Sequence, residues 1–269
     1  MKTETFQKKH THIHELFSQK GSVAVVIGGA GKIGFPMAEG LAEAGAIVYI
    51  ASTNWEKCEE AAGRLNSRGL MVKCLQVDQS DEASVLKGLA LVTKESGTPT
   101  VLVNSGVERP MKKFFNDDVA QWDRSMAVNA RGLFITCRAF GTAMAKKGGG
   151  SIINVASVYG LRGPDMTIYE GTAIQTEPDY PYTKGGMIMF SKYLASYLSK
   201  KMVRVNCIAP GGFFNNQGEP FLSQYLRKVP LGRMAYHDDI KGVTVFLASR
   251  ASAYITGAVI PVDGGFTVV

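Results

Sequence analysis

The feature that most constrains this chain is a rhythm of short apolar runs separated by segments of helical length. The runs are Val23–Ile27, Ile47–Ile50, Val72–Val77, Val101–Val103, Ser151–Val155, Val203–Ile208 and Val259–Pro261. Between them, Pro36–Ala44, Trp55–Arg68, Glu82–Lys94, Val119–Ala145 and Tyr182–Lys200 carry apolar residues at helical spacing. A strand that is apolar with little alternation is covered on both faces, which is the condition of a parallel sheet between two helical layers. The repeat, roughly 25–30 residues, is that of βαβ units with right-handed crossovers. No linker rich in Pro, Ser and charge breaks it. The expectation is one α/β domain, a doubly wound parallel sheet in a three-layer αβα arrangement, spanning 21–269 behind an N-terminal arm of residues 1–20.

Composition narrows the function classes. With 269 residues and 45% hydrophobic side chains, the chain can build a core without disulfides. Cys58, Cys74, Cys137 and Cys207 are far apart and form no CxxC pair, so they read as small buried hydrophobes in a reducing compartment. The net charge is +7, yet the cations are scattered among acids. No basic run is interleaved with aromatics as a nucleic-acid surface requires. The tightest cluster, Lys8, Lys9, His10, His12 and His14 followed by Glu15, reads as a solvated arm. Its histidines would share a face on a strand, but nothing nearby completes a structural metal shell, so no metal is expected. The polar opening is unlike a signal peptide, and no apolar run has membrane-spanning length. A cytoplasmic protein with no nucleic-acid or membrane partner is expected.

The first strand ends in Ile27-Gly28-Gly29-Ala30-Gly31-Lys32-Ile33-Gly34 and a helix follows. Glycines at that junction let the backbone turn tightly and approach a pyrophosphate, which the helix N-terminus stabilises. The turn lacks the Gly-Lys-Ser/Thr ending of a kinase-type phosphate loop. Gly28, Gly31, Lys32, Ile33 and Gly34 are therefore candidate dinucleotide contacts in a Rossmann-like fold. An NAD-binding strand would end in an acid that grips the ribose hydroxyls. Here it ends Ile50-Ala51-Ser52-Thr53-Asn54, with no acid. Lys32 is positioned to meet a 2′-phosphate, and Ser52 and Thr53 add neutral donors. NADP is the expected cofactor, with NAD also used. The alternative for Lys32 is a plain solvent-facing side chain.

Tyr180 and Lys184 lie four residues apart, on one face of a helix. A phenol with an ordinary pKa of about 10 is a poor base at neutral pH, and a nearby ammonium favours its ionised form. Such a pair suits the proton half of an alcohol–carbonyl interconversion. Ser157, at the end of a neighbouring strand, can hold the substrate oxygen. Tyr182, two residues from Lys184, points elsewhere on the helix.

These pieces in this order resemble the short-chain dehydrogenase/reductase family over essentially the whole chain after the arm. The glycine turn stands for TGxxxGxG, and Val103-Asn104-Ser105-Gly106-Val107 for VNNAG. Asn154-Val155-Ala156-Ser157 stands for the NxSS strand end, and Tyr180-Pro181-Tyr182-Thr183-Lys184 for YxxxK. Trp122-Asp123, Val128-Asn129, Arg204-Val205-Asn206, Pro210-Gly211, Pro230-Leu231-Gly232-Arg233, Tyr254-Ile255-Thr256-Gly257 and Val262-Asp263-Gly264-Gly265 complete the series. The resemblance implies a catalytic set of Asn129, Ser157, Tyr180 and Lys184, with Asn129 holding water or backbone beside the lysine. It implies that Lys184 also holds the nicotinamide ribose. Asp78, Asn104, Ser105, Gly106, Pro210 and Gly211 join the cofactor contacts. It also implies a homotetramer built on the Val119–Ala145 helix and the segment Tyr254–Val269. The sequence departs from the pattern at Ile27, at Lys32 and at Val107, which replaces the last glycine of VNNAG.

Leu161–Asp179 and the segment 211–230 break the rhythm and are read as a substrate wall and lid beyond the strand ends. Their polar and aromatic mix suits a polyhydroxylated substrate, since sites that read hydroxyls need hydrogen-bond partners. Gly163–Gly171, together with Pro210–Gln217 and Pro220-Phe221, resembles segments of family members tied to bacterial surface-sugar and flagellin modification. An oxidoreductase acting on a sugar or sugar-derived alcohol is expected, with a short-chain polyol or sugar-acid reductase of the gluconate-dehydrogenase kind as the next reading. The alternatives are a 3-oxoacyl carrier reductase and a non-catalytic dinucleotide sensor or structural subunit.

Overall fold

The computed structural model describes residues 10–113 and 116–269. Lys8 and Lys9 of the basic arm lie outside them. Among the described residues the apolar runs form a seven-stranded sheet in the order β3-β2-β1-β4-β5-β6-β7, parallel at every pairing. The strands are β1 (Val23–Ile27), β2 (Ile47–Ser52), β3 (Val72–Gln76), β4 (Val101–Asn104), β5 (Gly150–Val155), β6 (Val203–Pro210) and β7 (Val259–Val262). The helices are α1 (Ile13–Phe17), α2 (Gly34–Glu43), α3 (Trp55–Asn66), α4 (Glu82–Ser96), α5 (Val119–Met126), α6 (Leu133–Lys147), α7 (Asp179–Leu198), α8 (Phe221–Leu226) and α9 (Asp238–Ala248).

Strand alternation divides the core in two. Val23, Val25 and Ile27 of β1 face one cluster with Leu133, Phe140 and Met144 of α6 and Met187 and Leu198 of α7. Ala24 and Val26 face the other, with Met37 and Leu41 of α2, Leu65 of α3 and Ile240 and Leu247 of α9. The central strands are buried at every position. Edge strand β3 is covered less completely, with Lys73 and Gln76 exposed. Strand order reverses between β1 and β4, where Ile27 lies beside Asn104. That reversal opens a crevice at the carboxyl ends of these two strands.

Four expectations need correction. The Val119–Ala145 region is not one regular helix: a π-helical segment, Ala127–Gly132, separates α5 from α6. On the helix expected to build a tetramer, Leu133, Phe140 and Met144 lie in the core, while Phe134 stays exposed. The segment 211–230 contains α8, because Phe221 and Tyr225 share one buried helical face. The histidines do not share a strand face. His12 caps α1 by accepting from the backbone N–H of His14, and their rings stack at 5.0 Å.

Candidate active site

The crevice opens into a cleft of about 820 Å³ walled by the glycine turn, the end of β2, Val77–Ser80 and Ser105–Glu108. Gly28, with φ +74°, adopts a left-handed conformation, and a Cβ on it would lie 2.6 Å from the backbone N of Gly106. A Cβ on Gly34 would run into the carbonyl oxygen of Gly28. The first glycine thus lets two strand ends approach, and the last lets α2 begin against the turn. A cradle that any side chain would fill, open at the N-terminus of a buried helix, fits a dinucleotide pyrophosphate.

Gly28, Gly31, Lys32, Ile33, Ser52, Thr53, Asp78, Ser105 and Gly106 all line this cleft. Asp78 is held by an Asx-type turn, its carboxylate accepting from the Ser80 N–H at 2.8 Å. Asn104 is not among the residues that line the cleft. Its Nδ2 donates to Asn154 Oδ1 at 2.8 Å, and Asn154 donates to Ser191 Oγ at 2.8 Å. This buried amide, needing partners of its own, is spent on joining β4, β5 and α7. Lys32 lines the cleft, and its Nζ donates to the Phe213 carbonyl at 3.2 Å. It therefore bridges the glycine turn to the 211–230 segment, and partial burial holds its ammonium below the ordinary lysine range. Pro210 ends β6, and the following Gly211 donates its N–H to Val262 at 3.0 Å.

Three separate elements bring the candidate proton-handling side chains together. Tyr180 and Lys184 open α7, with the lysine Nζ 5.6 Å from the tyrosine ring centroid. Lys184 is buried and donates to the Val155 carbonyl at 2.6 Å. Burial pushes its pKa down from 10.5 to about 8. Ser157, two residues beyond Val155, is also buried and caps the short 3-10 turn Val158–Gly160. A Cβ on Gly160 would lie 2.7 Å from the Lys184 carbonyl oxygen, so the serine turn packs directly against α7. Asn129 sits within the π-helical segment, the kind of local widening that recurs at functional sites. Its Oδ1 accepts from Glu108 N–H at 2.9 Å, and its Nδ2 donates to Glu108 O at 2.7 Å.

Two residues of this network escape the sequence reading. Ser125 accepts from Asn129 Nδ2 at 3.0 Å and donates to Asp179 Oδ2 at 2.6 Å. Asp179 is 1% exposed, and its other oxygen has no hydrogen-bond partner among the described residues. The carboxylate forces the serine to donate, which leaves the serine oxygen to accept and so fixes the orientation of the Asn129 amide. An acid directly before Tyr180 was the available signal. A second tyrosine–serine–lysine group is elsewhere: Tyr49 contacts Ser96 at 2.7 Å and Lys73 at 3.2 Å. It ties the end of α4 to the sheet and lines no wall of the cleft.

On the substrate side, Arg109 lies over the Tyr180 ring, 4.4 Å from its centroid. Arg109, Lys112, Gln175 and Glu177 line a recess of about 410 Å³. Next to it, a cavity of about 810 Å³ is walled by Tyr169, Thr172 and other residues of the 161–179 segment. Tyr159 and Tyr169 join hydroxyls at 2.6 Å, and Tyr182 turns outward against Trp122. A wall of phenols, an amide and charged groups can hold a polar substrate against Tyr180.

Residues 28–267 match the family model described as enoyl-(acyl carrier protein) reductase. The chain is a short-chain dehydrogenase/reductase. It is 31% identical to gluconate 5-dehydrogenase of Gluconobacter oxydans, covering 94% of this chain and 98% of that one. It is 36% identical to a 3-oxoacyl-[acyl-carrier-protein] reductase of Chlamydia muridarum, covering 90% and 96%. Among solved structures it is similar to a gluconate 5-dehydrogenase from Burkholderia cenocepacia in complex with NADP and tartrate. That pair shares a TM-score of 0.85 at 29% identity, over 96% of this chain and 100% of that one. A short-chain dehydrogenase from Leptospira borgpetersenii with bound NAD+ gives 0.83 at 30% identity, over 96% and 97%. This short-chain dehydrogenase/reductase is an NAD(P)-dependent oxidoreductase, and the cleft between β1 and β4 has the form its dinucleotide requires. Among the described residues no helix is long and apolar enough to cross a membrane.

Proposed function

We propose that this reductase interconverts a secondary alcohol and a ketone on a small polyhydroxylated substrate, with NADP preferred over NAD. The observation that carries the reading is the buried Lys184 held beside Tyr180 with Ser157 packed against the same helix turn. The bound nicotinamide supplies the hydride acceptor or donor. Tyr180 passes the proton to or from the substrate oxygen, and Ser157 holds that oxygen by a hydrogen bond. Lys184 favours the phenolate and supports the nicotinamide ribose. Asn129, oriented by Ser125, fixes the Glu108 backbone.

Arg109 beside Tyr180, with Lys112 in the same recess, favours a substrate that also carries a carboxylate, such as a sugar acid. The neutral Ser52 and Thr53 at the end of β2 support NADP, because no carboxylate there competes with a 2′-phosphate. The exposed α7 face of Tyr182, Met189, Tyr193 and Tyr197, with Phe134 beside it, supports a homotetramer. Free thiols at all four cysteines fit a reducing cytoplasm.

The test is turnover of NADPH and NADH with a panel of ketoses, keto sugar acids and acyl thioesters, in wild type and Tyr180→Phe. The keto sugar acid is expected to react fastest, and Tyr180→Phe to lose at least about a hundredfold in kcat while binding NADPH as before. A fall smaller than tenfold refutes the role of Tyr180. A preference for acyl thioesters refutes the substrate class in favour of the carrier-reductase alternative, and no turnover at all favours the sensor.

A further inference from the structure

Beyond the strand ends a third, smaller core joins the two irregular segments into one wall. Ile168 of the 161–179 segment packs there with Phe221, Tyr225, Val229 and Phe266. The Tyr169 ring lies 5.8 Å from Phe221, and Gln224 of α8 donates from Nε2 to the Glu170 carbonyl at 3.1 Å. Tyr169 is thus held at its ring and just after it in the chain, and it lines the cavity of about 810 Å³. Thr176 lines the same cavity. Tyr159, two residues beyond Ser157, reaches this wall from the serine turn.

The Tyr159 and Tyr169 hydroxyls are 2.6 Å apart, so one donates to the other. Burial raises both phenols above their ordinary pKa, and both stay protonated at neutral pH. The pair therefore holds two hydrogens, of which the mutual bond uses one. Beside Tyr159 stands the Phe266 ring, edge-on at 6.3 Å, and its hydroxyl meets no acceptor but Tyr169 among the described residues. Tyr159 is then the donor. Tyr169 keeps its own hydrogen, with the Thr176 hydroxyl beside it but outside close hydrogen-bonding geometry. The cavity that Tyr169 lines shares Lys112, Gln175 and Glu177 with the recess where Arg109 covers the Tyr180 ring. We infer that Tyr169 is a specificity-determining residue, donating its hydrogen to a substrate hydroxyl remote from the reacting carbonyl, with Tyr159 as the positioning residue that holds it. This rests on the polyhydroxylated-substrate reading above and gives it a group that recognises a hydroxyl. A ketone without that hydroxyl leaves the Tyr169 donor unpaired, and an unpaired buried donor discriminates more strongly than a gained contact does.

Steady-state reduction of 5-keto-D-gluconate and of 5-oxohexanoate isolates the hydroxyls, since the two share carbon chain, carboxylate and ketone. Wild type is expected to favour 5-keto-D-gluconate by at least about a hundredfold in kcat/KM. Tyr169→Phe should lower that preference about tenfold, as the loss of one hydrogen bond would, while 5-oxohexanoate reacts as in wild type. Tyr159→Phe should lower it about threefold, because Tyr169 keeps its hydrogen and loses only the bond that aims it. A preference that survives Tyr169→Phe, whether both substrates react as before or both slow equally, overturns this inference and leaves the substrate reading standing. A wild type that reduces 5-oxohexanoate at least as well, or reduces neither, overturns that reading and this inference together.

Discussion

Replacing Lys184 by Met should make the stability of the cofactor-free protein depend less on pH, and the structure sets the size of the effect. The Lys184 ammonium is buried under α7, and burial lowers its pKa from 10.5 to about 8. At about 1.4 kcal/mol per pH unit, that interval of about 2.5 corresponds to about 3 kcal/mol against the folded state at neutral pH. Below pH 8 both folded and unfolded chains hold the proton, so the full cost is present. Between pH 8 and 10.5 the unfolded chain keeps the proton that the folded chain has released, and stability rises with pH. Above 10.5 the cost is gone. Lys184→Met has no such titration, although it forfeits the hydrogen bond to Val155, a loss of about 1–3 kcal/mol at any pH. The absolute stability of the variant is a balance of these two effects, whereas its pH dependence isolates the first. Denaturant unfolding at pH 7 and pH 10 should show the variant-minus-wild-type difference falling by about 2–3 kcal/mol as pH rises. A change below about 1 kcal/mol refutes the reasoning, because it means that Lys184 carries no desolvated charge.

Gly34→Ala should lower stability by about 1–3 kcal/mol and abolish NADPH binding by calorimetry, since its Cβ meets the Gly28 carbonyl; unchanged affinity contradicts the cradle. Ser125→Ala should cut kcat about tenfold with little change in cofactor affinity, because it frees the Asn129 amide to rotate; an unchanged kcat shows that the amide is held by Glu108 alone. Tyr193→Glu combined with Tyr197→Glu should dissociate the proposed tetramer in light scattering, by setting charges on the stacked pair exposed on α7. A wild-type monomer at micromolar concentration refutes the assembly itself.

The layers of the fold were legible because periodicity reports burial, and burial of β1, β4 and β5 on both faces is what the sheet requires. Tyr180, Lys184 and Ser157 were legible for a different reason, their chemistry being tied to residue type and short spacing. What the sequence hid are interactions between distant segments. Asn104 resembles a cofactor contact by its position in the motif, yet its side chain answers Asn154, fifty residues away. Lys32 was read by its neighbourhood in the chain, while its partner Phe213 lies 181 residues on. The π-helical segment carries no Pro or Gly break before Asn129 to announce it. It follows from the demands of the Asn129 side chain on Glu108 and Ser125.

Those hidden features concentrate at one end of α7. Lys184 is buried as a cation, Asp179 is buried with one oxygen unpartnered, and Ala127–Gly132 departs from regular helix within two hydrogen bonds of Asp179. Each departs from what stability alone would select, and local rules tend to fail together where function imposes a geometry. The opposite end of the sheet offers the contrast. There Tyr49, Ser96, Lys73 and Glu95 satisfy one another completely, with the lysine half-exposed and its ammonium favoured rather than desolvated. The same residue types, freely partnered, make a structural staple. A lysine held dry beside a half-buried phenol is instead suited to moving a proton, and that difference in solvation distinguishes the proposed catalytic tyrosine from its double.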